Sequence, residues 1–166
     1  MIIDLNLFKS GKITELNRNE VFEAVDNPIE DLGFKVADKI NIKYSVKPAQ
    51  EDFIVSVKYQ ISLLLNCDKC GVEYKQKFNN NLNLLLVYNI QDELKDDENV
   101  ILIDHSTNSV DLQPYVREHI LVSLPYVNKC KDNCLGLCQY CGVNLNLEKC
   151  DCAEENTNPA FAELLK

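Results

Sequence analysis

Six of this chain's eight cysteines stand between Cys130 and Cys152, in a stretch where regular apolar periodicity has disappeared. A segment that cannot organise itself by burial needs another source of order, and thiols supply one when they converge on a cation. The last four, Cys138, Cys141, Cys150 and Cys152, read C-x2-C-x8-C-x-C. In Cys138-Gln-Tyr-Cys141-Gly142 a tight turn aims both sulfurs at one point, and the glycine permits a backbone conformation that other residues resist. Zinc has no ligand-field preference and accepts four thiolates tetrahedrally at about 2.3 Å. The Cys150-Asp151-Cys152 pair has a rarer one-residue spacing, and points its sulfurs the same way if the chain bends at Asp151. These four cysteines are the first-choice ligand set for one structural zinc ion.

A second ion is compatible with the remaining thiols. Cys130 and Cys134 are spaced as on adjacent helical turns, and they complete a four-thiolate set with Cys67 and Cys70 if the turn holding that pair folds back to the module. Mixed sets such as Cys134 with Cys138 and Cys141 fit the spacing equally. An iron–sulfur cluster would use the same donors, but knuckle turns closing on glycine are a common setting for zinc. A disulfide framework suits exported chains, and the start of this sequence, with Asp4 and no basic leader, does not read as a signal peptide. Free reduced thiols explain isolated cysteines better than six in so short a polar stretch.

Cys67-Asp-Lys-Cys70 also has the bare pattern of a thiol-disulfide redox protein, which is the alternative function. Reactive pairs generally open a helix, whose N-terminus lowers the thiol pKa, whereas this pair lies between strand-like segments. Of the two histidines, His105 falls in a polar loop and His119 on a helix, so both read as surface or packing residues. No paired carboxylates, nucleophile elbow or phosphate-cradling glycine loop stands out, and the chain reads as noncatalytic.

The rest of the chain is patterned for strands. Ile40 to Val46 alternates apolar and polar residues, as does Phe53 to Leu65 before it turns apolar throughout. Val72 to Tyr88 continues the pattern, so the two runs predict a long hairpin closed by a cysteine-bearing turn. Ile2, Leu5 and Leu7 suit a strand, Val36 to Ile42 feeds the sheet, and Val100 to Asp104 is a short strand. Asn27-Pro28 breaks what precedes it. Leu112, Tyr115, Val116, His119 and Ile120 recur at three and four residues, predicting an amphipathic helix near 111–124 with Asp111 as N-cap and Pro125 as its stop. The run 158–165 suits one or two closing helical turns. No internal repeat is evident. The expected class is α+β, predominantly β: an antiparallel sheet or partly closed barrel with one packed helix, spanning 1–126, and a small cysteine-rich zinc-knuckle module over 127–166.

A net charge of −9 disfavours broad phosphate neutralisation. The acid-rich run from Gln91 to Asn99 reads as a solvated loop, or as a landing surface for a basic partner. With no apolar run of the roughly 20 residues a membrane helix needs, the chain is expected in the cytoplasm.

Together, Cys67-x2-Cys70 in a hairpin, Leu124-Pro125 after a helix, Gly136-Leu-Cys138-x2-Cys141-Gly142, Asn144-Leu-Asn146, and Cys150-Asp-Cys152 with Asn158-Pro159 downstream form a recognisable pattern. It resembles the bacterial large ribosomal RNA subunit accumulation proteins, over roughly Val36 to Leu165. The resemblance implies a role in accumulation or maturation of large-subunit ribosomal RNA. Gln139 and Ala160 depart from the proline and arginine often found there. Some relatives lack the C-terminal cysteines, which implies that the metal supports the fold. The partner is then large-subunit precursor RNA or a basic assembly protein, and the charge suits the latter. Lys69, Tyr74, Lys75 and Lys77 on the hairpin are the candidate RNA contacts, set against their reading as the solvent face of a strand.

Overall fold

Period-two alternation sets the longest elements. A computed structural model describes residues 1–24, 33–89 and 99–152. In chain order the elements are β1 (Ile2–Asp4), α1 (Asn6–Lys9), β2 (Leu16–Phe22), β3 (Lys35–Val36), β4 (Ile40–Ala49), β5 (Asp52–Asn66), β6 (Glu73–Val87), β7 (Val100–Leu102), β8 (Ser109–Asp111) and α2 (Gln113–Val122). The break at Asn27-Pro28, nearly all of the acidic run and the closing turns at 158–165 lie outside the described residues.

The main sheet runs β2-β4-β5-β6-β7, with β3 paired to the far end of β5 at Leu63 and Leu64. A tight turn at Gln50-Glu51 sets the β4–β5 register, in which Ala49 faces Asp52 and Lys43 faces Lys58. Alternate residues then share one face: Ile40, Ile42, Tyr44 and Val46 with Val55, Val57, Tyr59, Ile61 and Leu63 form a buried layer, continued by Leu82, Leu84 and Leu86 of β6. Burying each such side chain contributes roughly 1.5–3 kcal/mol. Helix α2 adds Val116 and Ile120 to the core. Its His119 meets Tyr59 edge-on, with Nδ1 2.8 Å from the phenolic oxygen. His105 stacks flat on Tyr88 at 4.3 Å. Both histidines are therefore packing residues.

The predominantly β, α+β class is observed, and the sheet is open. Three expectations are corrected. The sheet is not wholly antiparallel, because β7 runs parallel to β6 with Ile101 beside Leu86. Helix α2 is shorter than 111–124. Asp111 belongs to β8, where it faces Ile2, and Leu112 is the N-cap. Leu112 is fully buried, so tertiary burial overrides the capping preference. Asp111 still accepts the Gln113 N–H through Oδ1 at 3.0 Å. Of the N-terminal residues, Ile2 joins a strand, whereas Leu5 starts a short helix and Leu7 lies within it.

The chain forms two compact units. One comprises Met1–Leu65 and Lys75–Pro125; the other comprises Asn66–Tyr74 and Tyr126–Lys166. The second is thus assembled from the tip of the long hairpin and the cysteine-rich C-terminal segment. Among the described residues no helix is long and apolar enough to cross a membrane.

Candidate metal centres

The two C-x2-C turns are copies of each other. Cys67-Asp-Lys-Cys-Gly-Val72 and Cys138-Gln-Tyr-Cys-Gly-Val143 share the spacing C-x2-C-G-V. In the first, the Cys67 N–H donates to the Val72 carbonyl at 2.9 Å and the Gly71 N–H to the Cys67 carbonyl at 2.8 Å. In the second, Cys138 N–H donates to Val143 at 2.8 Å and Gly142 N–H to Cys138 at 2.9 Å. Both turns need a left-handed residue at the glycine, with φ of 69° at Gly71 and 74° at Gly142. The expectation of no internal repeat is corrected here: this one is only six residues long, and its signal in the sequence is the Gly-Val dipeptide after each second cysteine.

Each turn presents two sulfurs, and two further cysteines complete each group. Cys67, Cys70, Cys130 and Cys134 form one, and Cys138, Cys141, Cys150 and Cys152 the other; in each, the four sulfurs lie within 4.8 Å of one another. In the first group the Cys67 and Cys134 sulfurs are 3.8 Å apart, and those of Cys70 and Cys130 are 3.7 Å apart. A tetrahedron with metal–sulfur bonds of about 2.3 Å has edges of about 3.8 Å, so these sulfurs stand where a four-thiolate ion would require them. The mixed grouping of Cys134 with Cys138 and Cys141 is not the one formed. Nor do Cys130 and Cys134 lie on a helix; the chain between them bends and turns.

Backbone contacts pin the first group. The Asp68 N–H donates to the Asn128 carbonyl at 2.8 Å, and the Asn128 N–H returns a bond to Asp68 Oδ2 at 2.6 Å. The Leu137 N–H donates to the Lys69 carbonyl at 3.1 Å. A side chain at Gly136, where φ is 83°, would bring its Cβ to 3.2 Å from that same carbonyl oxygen. Asn146 links the groups: its amide donates to Cys134 Sγ at 3.4 Å and to Asn144 Oδ1 at 2.8 Å, and its Oδ1 accepts the Leu135 N–H at 3.0 Å. The Asn144-Leu-Asn146 motif thus ties the chain after the second turn to a sulfur of the first group.

The sulfurs are electrostatically unequal. Backbone N–H donation from Cys130, and also from Cys70 and Lys69, pulls the Cys67 thiol down to about 6. The N–H groups of Cys141 and Tyr140 do the same for Cys138, again to about 6. Burial acts against ionisation of Cys134, yet the Asn146 side chain and Gly136 N–H hold its pKa below the ordinary thiol value. Burial, with neighbouring thiols, pushes Cys130 up to about 12. The Cys141 side chain, with burial, pushes Cys152 up to about 12. Each group thus holds sulfurs that favour the thiolate beside others that keep their protons, as crowding of potential anions demands without a cation. Four protein donors fill a tetrahedral shell, the arrangement of a structural site; a catalytic ion keeps one position open.

The four candidate RNA contacts fare differently. Lys69 donates through Nζ to the Cys134 carbonyl at 3.3 Å, and Tyr74 packs against the buried Cys67, Cys70 and Cys134. Lys75 forms an ion pair with Asp38, whose carboxyl it holds below the usual range. Lys77 is exposed on β6.

No solved structure matches this chain. The Arabidopsis thaliana protein named large ribosomal RNA subunit accumulation protein YCED homolog 1, chloroplastic, is 23% identical over 128 residues, 61% of this chain. The chain covers 40% of that relative's length. Residues 55–166 match the family of the large ribosomal RNA subunit accumulation protein YceD, a span that takes in all but the first three residues of the long hairpin, helix α2 and all eight cysteines. By that match over more than half its length, with both cysteine groups inside it, the chain belongs to the YceD family of large ribosomal RNA subunit accumulation proteins.

Proposed function

We propose that this protein is a noncatalytic cytoplasmic factor that supports accumulation or maturation of large-subunit ribosomal RNA, and that each four-cysteine group holds one structural zinc ion. Family membership supports the role. The observation that carries the metal reading is the convergence of four sulfurs within 4.8 Å of one another in each group, with two separations in the first group matching the edges of a tetrahedral shell. The ion would be held by Cys67, Cys70, Cys130 and Cys134 in one group and by Cys138, Cys141, Cys150 and Cys152 in the other. Its contribution when bound is to fix the geometry of the knuckle unit. The partner is large-subunit precursor RNA or a basic ribosome-assembly protein.

The redox alternative rests on the low Cys67 pKa in a C-x2-C pair. Against it, Cys67 is only 2% exposed and has three other sulfurs around it, and its turn joins two strands. Elemental analysis of the purified protein should give two zinc ions per chain. Cys70→Ser should lose one of them and gain no redox phenotype; a metal-free wild type with disulfide-reductase turnover would reverse the assignment. Depletion in cells should lower large-subunit RNA relative to small-subunit RNA, and unchanged subunit profiles would refute the biological role.

A further inference from the structure

The sheet face opposite the buried layer has a composition that the chain's overall acidity hides. In the β4–β5 register Lys43 stands directly across from Lys58, and Asn19 of β2 faces Lys43 from the other side. Adjacent rows carry Asn17, Ser45 and Ser56, and Val21, Asn41 and Gln60. On β6, Asn83 accepts a hydrogen bond from Ser56 at 2.9 Å and Asn79 accepts one from Gln60 at 2.7 Å. Asn81 lies between them, and a groove of about 410 Å³ is lined by Asn41, Lys43, Lys58, Gln60, Asn79 and Asn81, among others. These three rows hold no carboxylate. Among the described residues neither Lys43 nor Lys58 has an ion-pair partner, although Lys39, Lys47 and Lys75 all do.

Like charges directly across a strand pair are destabilising. Among the described residues no carboxylate stands beside this pair to offset it, whereas Lys39, Lys47 and Lys75 are each matched by one. What would relieve the repulsion is an anion between the two ammonium groups. The surrounding amides and hydroxyls are donors and acceptors suited to sugar hydroxyls and base edges, while Tyr59, which also lines the groove, is only 3% exposed and so offers little ring surface for stacking.

We infer that this face is a docking surface for the phosphate backbone of single-stranded or looped RNA, with Lys43 and Lys58 gripping adjacent phosphates and the asparagine-rich groove contacting sugars and base edges. The inference deepens the proposed ribosomal role and rests on it, and it moves the RNA contact from the hairpin tip to the middle of the sheet. Lys77, on β6 beyond Asn79, extends the same face. Because recognition runs through phosphate and amide contacts, binding is tolerant of sequence and strongly dependent on salt.

The test measures binding of a labelled single-stranded RNA of mixed sequence across a salt series, for the wild type, K43Q, K58Q and K43Q/K58Q. K47Q, which removes a lysine on the same face already paired with Glu15, is the control. Losing two phosphate contacts should flatten the log K against log salt slope by about 1.4 and weaken binding roughly 10- to 30-fold near ~0.1 M salt. Each single variant should show about half of the slope change, and K47Q little. Melting midpoints should stay level or rise as the lysine repulsion is removed, which separates the effect from misfolding. An unchanged slope in the double variant overturns the inference, as does wild-type binding to poly-glutamate in place of RNA, or to neither. In depleted cells the double variant should fail to restore large-subunit RNA. Full restoration sinks this face while leaving the ribosomal role intact, whereas absence of any depletion defect removes the role itself.

Discussion

Gly136 shows how one residue without a side chain can hold a four-cysteine group together. Its φ of 83° and the Lys69 carbonyl 3.2 Å from a hypothetical Cβ make two separate demands for glycine. Gly142 makes only the conformational one, with open space around it. Gly136→Ala should therefore cost more than the roughly 1–2 kcal/mol of left-handed strain alone, and Gly142→Ala should cost about that amount. Chelator-challenge kinetics would show the difference, with metal of the first group leaving faster in Gly136→Ala. Tyr44 provides a second residue-scale check. Burial, with its hydrogen bond to Glu20 at 2.8 Å, raises its pKa to about 12. An unfolded tyrosine ionises near ~10. The native phenol therefore keeps its proton where the unfolded one loses it, and this stabilisation is present below pH ~10 and lost as pH rises towards 12. Phenolate absorbance should reveal a late-titrating tyrosine that is missing in Tyr44→Phe. The sulfurs are legible in the sequence because spacing constrains them; the roles of Gly136 and Asn146 are not, because both act on residues distant along the chain.

Alternation places β4, β5 and β6 nearly to their ends, since a strand with one buried face cannot slip by one residue without turning its core outward. The same signal fails for short elements. β7 has three residues, and nothing in Val100-Ile-Leu fixes whether it runs parallel or antiparallel to its neighbour. The start of α2 is misleading in the sequence because Asp111 looks like a cap while β8 claims it. Turn chemistry is also informative at Gln50, the one described non-glycine residue with positive φ, at 59°. Gln50→Gly should stabilise the β4–β5 hairpin, or leave it unchanged if chain entropy offsets the relief of strain, and Gln50→Val should destabilise it by about 1–2 kcal/mol. Urea denaturation followed by the midpoint decides this, and a stabilising valine would contradict the left-handed turn.

At the scale of the whole molecule, the two units rest on different physics. The larger has a continuous apolar layer from β4, β5, β6 and α2. The smaller has for its core Cys67, Cys70 and Cys134, with Tyr74 and Cys130 packed against them. Chains of so few residues seldom bury enough apolar surface to fold without metal or disulfides. Removal of metal should thus unfold 66–74 and 126–152 while the sheet keeps its protection, a difference that hydrogen exchange resolves segment by segment. The pH dependence comes from the ligand chemistry. Metal-bound cysteines carry no proton, whereas unfolded thiols carry one below their pKa of about 8.5, so stability of the metal-loaded unit rises with pH up to that value and falls as pH drops below it. Cys130 and Cys152, pushed up to about 12 in the metal-free groups, must give up protons when the ion enters, whereas Cys67 and Cys138, near 6, are largely ionised already at neutral pH. Zinc titration of the stripped protein in weak buffer at neutral pH should release protons, and their number should fall as the starting pH is raised. Zinc uptake with no proton release would mean that the ion binds elsewhere than these eight sulfurs.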